Sequence, residues 1–82
     1  MNNKQKRTLE KIKEIPTRSD INYADVKKLI EALGGKVVDG SGSRVKFRLN
    51  EEFGDFHKPH PQKELKKYAV EYLRKFLENA GF

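Results

Sequence analysis

The only two histidines of the chain, His57 and His60, lie in the short segment His-Lys-Pro-His-Pro. An imidazole accepts or donates a proton near neutral pH, and it is also a common metal ligand. A role in catalysis or RNA contact is one interpretation of this pair. A structural role, in which the rings bond backbone carbonyls near the prolines, is the other. We expect no metal site, because there is no cysteine and no acidic residue at a recognisable ligand spacing.

A glycine- and serine-rich turn, Gly40 to Ser43, precedes the histidines and leads into an alternating basic stretch. Its basic residues are Arg44, Lys46 and Arg48. Backbone N–H groups of such a turn can bind an anion, and a guanidinium group can bind a phosphate through two hydrogen bonds. The same alternation is also typical of the solvated face of a half-buried strand. Phosphate binding and simple solvation are therefore both open for these residues.

The spacing of apolar residues predicts how this strand pairs with the next one. A hairpin that turns at Asn50-Glu51 places Arg44 opposite His57 and Lys46 opposite Asp55. Residues directly opposite each other in such a pair have Cβ atoms about 5 Å apart. The same register puts the apolar residues on one face, whereas a shift by one residue would send Phe56 to the solvent. The apolar residues of that face are Val45, Phe47, Leu49 and Phe56.

The remaining sequence predicts helices on either side of three strands. Apolar periodicity and turn residues predict helices over 4–14, 23–33 and 63–80, and strands over 36–39, 43–49 and 53–57. This order favours an α+β fold in which an antiparallel sheet is covered by helices on one face. Residues 1–18 are expected to be a basic helical arm, docked or free, and residues 19–82 the main domain.

Two details of the helices are predicted as well. Asn22 should cap the second helix together with Asp25, a pair similar to a capping box. In the last helix, Tyr68 and Tyr72 should belong to the buried stripe. Gly34 and Gly81 should end these two helices, because glycine adopts the left-handed C-cap conformation at little cost.

Composition excludes several classes of function. The 82 residues have a net charge of +6 and no cysteine, so there is no disulfide and no thiolate nucleophile. No apolar stretch is long enough for a membrane span or a signal peptide, which favours a cytoplasmic protein that needs no membrane. The positive charge predicts binding to nucleic acid or to an acidic protein. The chain has no tryptophan, and no aromatic stacking platform for single strands is evident.

Several short sequences in order resemble the HicA-type toxin family. They are the Leu-Gly-Gly that ends the second helix, the Gly-Ser turn before the basic strand, the His-x-Pro-His-Pro segment and the final Asn-Ala-Gly. The resemblance covers about residues 20–82. It implies a fold like the double-stranded-RNA-binding domain (α-β-β-β-α, here with an extra N-terminal helix). It also implies endoribonuclease activity on mRNA without a cofactor, and neutralisation by a HicB-like antitoxin.

The sequence departs from the family pattern directly after the Gly-Ser turn. The family usually has its catalytic histidine there, and this chain has Arg44. Arginine stays protonated near neutral pH and cannot act as a general base. We therefore predict that His57 transfers the proton and that Arg44 stabilises the pentacovalent phosphorus. The predicted RNA-binding residues are Ser43, Lys46, Arg48, Lys58 and His60.

Three functions follow from these patterns. The first is a ribonuclease toxin with a variant active site. The second is an RNA-binding domain that has lost its catalytic base, which the arginine favours. The third is a protein-interaction module whose basic surface binds an acidic partner.

Overall fold

Three helices and three strands follow one another in the predicted order. The computed structural model describes all residues from Met1 to Phe82. Its elements are α1 (Asn3–Lys13), α2 (Tyr23–Ala32), β1 (Lys36–Asp39), β2 (Arg44–Leu49), β3 (Glu52–His57) and α3 (Lys67–Asn79). The α+β prediction is confirmed, and the arrangement is consistent with a fold like the double-stranded-RNA-binding domain.

The sheet is antiparallel with the strand order β1-β2-β3. Every predicted pair of the β2–β3 hairpin is present, including Arg44 opposite His57 and Phe47 opposite Gly54. Burial alternates along β2, so that Val45, Phe47 and Leu49 face the helices and the residues between them are exposed. We call the exposed side of the sheet the outer face. It presents Lys36, Val38, Arg44, Lys46, Arg48, Phe53, Asp55 and His57.

The start of α2 is fixed by a backbone bridge and not by the predicted capping box. The Asn22 side chain makes no capping hydrogen bond. Instead, Asn22 pairs with Glu64, the Tyr23 N–H donates to the Lys63 carbonyl, and the Leu65 N–H donates to the Ile21 carbonyl. Residues 21–23 and 63–65 are therefore held against each other around one isolated antiparallel pair, and we call this contact the 22–64 bridge.

The same bridge explains why the last helix begins later than predicted. The backbone groups of Lys63 and Leu65 bond to Tyr23 and Ile21, so α3 starts at Lys67 and not at residue 63. The buried stripe of α3 also differs from the predicted one. Val70 is fully buried, whereas Tyr68 is 64% exposed and Tyr72 is also exposed, so the prediction of two core tyrosines is wrong.

Helix α1 packs against α2 and α3. Ile12 is fully buried in the core. The Arg74 guanidinium of α3 donates to the carbonyls of Ile12 and Glu14 at 2.9 and 3.0 Å and to the Thr17 hydroxyl at 2.8 Å. Residues 1–18 are therefore docked on the rest of the chain and not free. The division of the chain into an arm of residues 1–18 and a domain of residues 19–82 stays a prediction.

Both predicted glycine caps are present. Gly34 has φ 94° and Gly81 has φ 97°, conformations that glycine adopts without steric cost. None of the three helices has the length and apolar character needed to cross a membrane.

Candidate functional site

A cleft of about 180 Å³ lies between the end of β3 and the beginning of α3. Both histidines line it, although they are separated by two residues that include a proline. The cleft is basic, with two lysines and the hydroxyl-bearing Tyr68 in its wall. Its lining residues are His57, Lys58, Pro59, His60, Gln62, Leu65, Lys66, Tyr68 and Ala69.

Backbone hydrogen bonds anchor the loop of the cleft at both ends. At its start, the Lys58 N–H donates to the Ser43 carbonyl at 2.7 Å, which extends the β2–β3 ladder by one pair. At its end, the 22–64 bridge holds residues 63–65 against the entrance of α2. The loop that contains His60 is therefore held at both ends by backbone hydrogen bonds.

His57 is oriented by a hydrogen bond to the serine of the glycine-rich turn. Ser43 Oγ lies 3.0 Å from His57 Nδ1, and Nε2 of the ring has no protein partner. When the Nδ1–H group donates to Ser43, the lone pair on Nε2 is free to accept a proton. The exposed ring thus has one nitrogen held by Ser43 and one nitrogen without a protein partner.

Arg44 lies beside His57, as the register predicts. The Ser43–Lys58 pair exchanges a ladder hydrogen bond, so the next pair, Arg44–His57, falls at a non-hydrogen-bonded position. Side chains approach each other more closely at such positions, where the Cα atoms are about 4.5 Å apart. Arg44 is exposed and does not line the cleft itself. Arg44 lies on the outer face, at the end of the sheet that is next to the cleft.

The predicted phosphate-binding residues are divided between two places. Lys58 and His60 lie in the cleft, whereas Lys46 and Arg48 line a separate, shallow groove of about 520 Å³. Lys46 lies opposite Asp55 as predicted, but the two side chains form no ion pair. The groove lies mainly on the outer face, and its lining residues are Lys36, Val38, Lys46, Phe47, Arg48, Phe53, Gly54, Asp55 and Tyr72.

Backbone groups of the glycine-rich turn are already hydrogen-bonded to other backbone groups of the protein. The Gly40 N–H donates to the Arg44 carbonyl at 2.7 Å, and the Arg44 N–H donates to the Ser41 carbonyl at 3.3 Å. One of the N–H groups that the sequence suggested for anion binding, that of Gly40, is therefore engaged in a backbone hydrogen bond, as is the N–H of Arg44 directly after the turn. Its clearest link to the site is the contact of Ser43 with His57.

Asp39 connects α2, β1 and the cleft. It accepts a hydrogen bond from the Tyr23 hydroxyl at 2.9 Å and forms ion pairs with Lys27 at 3.6 Å and Lys58 at 3.9 Å. The hydrogen bond from Tyr23 and the two lysine charges hold the pKa of the Asp39 carboxyl below its usual value. Partial burial, together with the bond to Asp39, raises the pKa of the Tyr23 hydroxyl. Lys58 is thereby positioned at the edge of the cleft.

We expect the Asp39→Asn variant to be less stable than the wild type at pH 7, with a difference that disappears in acid. The folded-state pKa of Asp39 is lowered from 3.8, so its stabilising effect is complete above that pH and is lost as the pH falls through the folded-state value. The measurement is urea unfolding of both proteins between pH 7 and pH 2. A stability gap that stays constant over this range would contradict the role assigned to the charge.

The sequence did not point to three of the residues found at the site. Lys66, directly before α3, and Tyr68, in its first turn, line the cleft, whereas the sequence placed Tyr68 in the buried stripe. The residue that could have indicated this from the sequence is Val70. When Val70 belongs to the buried stripe of the helix, Tyr68 falls outside that stripe and is exposed. Lys36 joins the groove through its pairing with Arg48. No group of three or more histidine, cysteine or acidic side chains is arranged to hold a metal ion.

The order of elements, the open three-stranded sheet and the histidine-lined cleft define a small basic α+β domain of the double-stranded-RNA-binding-domain type. Residues 23–82 match a family model described as the HicA toxin of bacterial toxin-antitoxin. The chain therefore belongs to the HicA toxin family, and the resemblance seen in the sequence is confirmed. Membership of a toxin–antitoxin family implies an antitoxin as partner. Comparison with curated proteins and with solved structures gave no match for this chain.

Proposed function

We propose that this toxin is an endoribonuclease that cleaves mRNA in the cytoplasm and is neutralised by a HicB-like antitoxin. The observation that supports cleavage most directly is the orientation of His57, a residue of the cleft, whose Nδ1 is held by Ser43 and whose Nε2 has no protein partner. The basic side chains around it are suited to a polyanionic substrate.

The chemistry we propose uses the nucleophile that RNA itself provides. The 2′-hydroxyl attacks the adjacent phosphorus, forming a 2′,3′-cyclic phosphate and releasing the 5′-oxygen of the next nucleotide. His57 Nε2 accepts the proton of the attacking hydroxyl, and the leaving oxygen takes a proton from solvent. Positioning of the phosphate and one proton-transfer group are sufficient for this reaction, so no cofactor is required.

Arg44 takes a different role from the histidine that the family usually has at this position. Its guanidinium stays positively charged and lies next to His57 in the β2–β3 pairing. It can therefore stabilise the additional negative charge of the pentacovalent phosphorus while His57 handles the proton. Lys58, which forms an ion pair with Asp39 at 3.9 Å, provides a positive charge in the wall of the cleft.

We expect purified protein to cleave single-stranded RNA and to leave unchanged the same oligonucleotide in which the 2′-hydroxyl at the cleavage site is replaced by hydrogen. The reason is that the modified strand lacks the internal nucleophile. Product analysis should find a 2′,3′-cyclic phosphate and a 5′-hydroxyl end. Cleavage of both strands at equal rates would contradict the proposed mechanism.

A non-catalytic RNA-binding domain is the second candidate, because Arg44 occupies the position of the usual base. Salt-sensitive RNA binding without any cleavage would select it. Growth arrest on expression, relieved when the gene of an adjacent antitoxin is expressed with it, tests the toxin–antitoxin assignment independently of either result.

A further inference from the structure

Phe53 is exposed on an edge strand of the sheet, beside the basic residues of β2. Its side chain is 74% exposed on the outer face, opposite Arg48, and it takes no part in the hydrophobic core. The other aromatic rings of the sheet differ from it, since Phe47 and Phe56 pack edge to face at 5.4 Å inside the fold. Packing of the core therefore does not account for a phenylalanine at this position.

The residues around Phe53 have positive charges with no partner in the protein. Lys36, Arg44, Lys46 and Arg48 lie on the same face, and none of them belongs to an ion pair. Asp55 is the one acidic residue among them. An aromatic ring surrounded by unpaired cations is suited to a ligand that combines flat rings with a negatively charged backbone.

We propose that the outer face binds single-stranded RNA, with one base stacked on the Phe53 ring and the phosphates next to Lys46 and Arg48. The identity of the ligand rests on the proposed ribonuclease function. Bases of a single strand are free to stack on an aromatic side chain, whereas those of a duplex are already stacked on each other. The face therefore distinguishes single strands from duplexes.

The position of Phe53 also relates this surface to the cleft. Phe53 and His57 lie on the same face of β3, four residues apart, which corresponds to about 13 Å at a rise of ~3.3 Å per residue. A strand that stacks on Phe53 and follows the basic residues of β2 reaches Arg44 and His57 at the end of the sheet. Phe53 is thus a binding residue that aligns the substrate and takes no part in the chemistry.

The test uses wild-type protein and a short fluorescent single-stranded RNA that has 2′-O-methyl groups throughout, which the 2′-hydroxyl mechanism cannot cleave. We expect Phe53→Ala to weaken binding by about 5- to 150-fold, the effect typical of one stacked base. Phe53→Tyr should restore binding because it keeps the ring. Phe53→Leu should not, although it keeps an apolar side chain.

Ile15→Ala is the matched control, because Ile15 is an apolar side chain that is 77% exposed, similar to Phe53, but lies after α1 and away from the sheet. It should leave the affinity for RNA nearly unchanged, and duplex RNA should bind equally to all variants. Equal affinity of wild type and Phe53→Ala for the single strand would overturn the proposal. If that substitution instead weakened only the binding of the antitoxin, the outer face would be a protein interface. Phe53-dependent binding without cleavage of ordinary RNA would refute the ribonuclease and leave this site standing.

Discussion

Replacement of His57 by alanine should reduce the rate of RNA cleavage by about 10²- to 10⁴-fold, the usual contribution of a positioned general base. His57 lines the cleft; its Nδ1 is held by Ser43 at 3.0 Å and its Nε2 has no protein partner. The side chain is exposed, so its removal should leave the fold unchanged. The measurement is the single-turnover cleavage rate of a labelled RNA, with circular dichroism to verify folding.

His60→Ala is the matched control for this experiment. His60 lines the same cleft but has no hydrogen bond that orients its ring, so we expect less than about a tenfold reduction, mainly through weaker binding. Added imidazole should partly restore cleavage by His57→Ala, because it can occupy the space of the missing side chain and accept the proton. Unchanged cleavage by His57→Ala would remove the basis of the proposed mechanism.

Gly54→Ala should be the most destabilising small substitution in the sheet. A Cβ atom at position 54 would lie 2.5 and 2.7 Å from two carbons of the Phe47 ring and 3.0 Å from the Tyr72 hydroxyl. Phe47 cannot move easily, because its ring packs against Phe76 at 4.6 Å. Overpacking of this kind costs about 1–3 kcal/mol. In a domain of this size, each kcal/mol lowers the Tm by about 4–8 °C.

Gly40→Ala is the control for that measurement. The nearest atom to a Cβ at position 40 is 3.4 Å away, which is an ordinary contact, so the thermal midpoint should change little. Differential scanning calorimetry of the two variants and the wild type provides the comparison. Equal midpoints for Gly54→Ala and Gly40→Ala would show that Phe47 has room to adjust.

The hairpin could be predicted from the sequence because one local pattern determines it. Val45, Phe47 and Leu49 alternate with basic residues, and only one register keeps Phe56 on their side. That register places Arg44 opposite His57 from the sequence alone. The proximity of the proposed catalytic pair is therefore determined by the local order of residues.

The cleft could not be predicted in the same way, because it depends on contacts between distant segments. Residues 63–65 have helical patterning, yet their backbone bonds to residues 21–23. Nothing in the sequence near Leu65 indicates this pairing. Because of this pairing, α3 begins at Lys67 and not at residue 63. Lys66 and Tyr68, at the beginning of the helix, line the cleft.

The 22–64 bridge also has a consequence for local opening of the molecule. The bridge joins the two ends of the segment 22–64 next to the cleft. The backbone N–H groups of Tyr23 and Leu65 each donate a hydrogen bond across it. We expect these two amides to exchange with solvent deuterium together, as one opening unit. Each opening event would release the loop of His60 while the sheet stays intact. The exchange rate of the Tyr23 and Leu65 amides would therefore report how often the loop of His60 is released from its position at the candidate site.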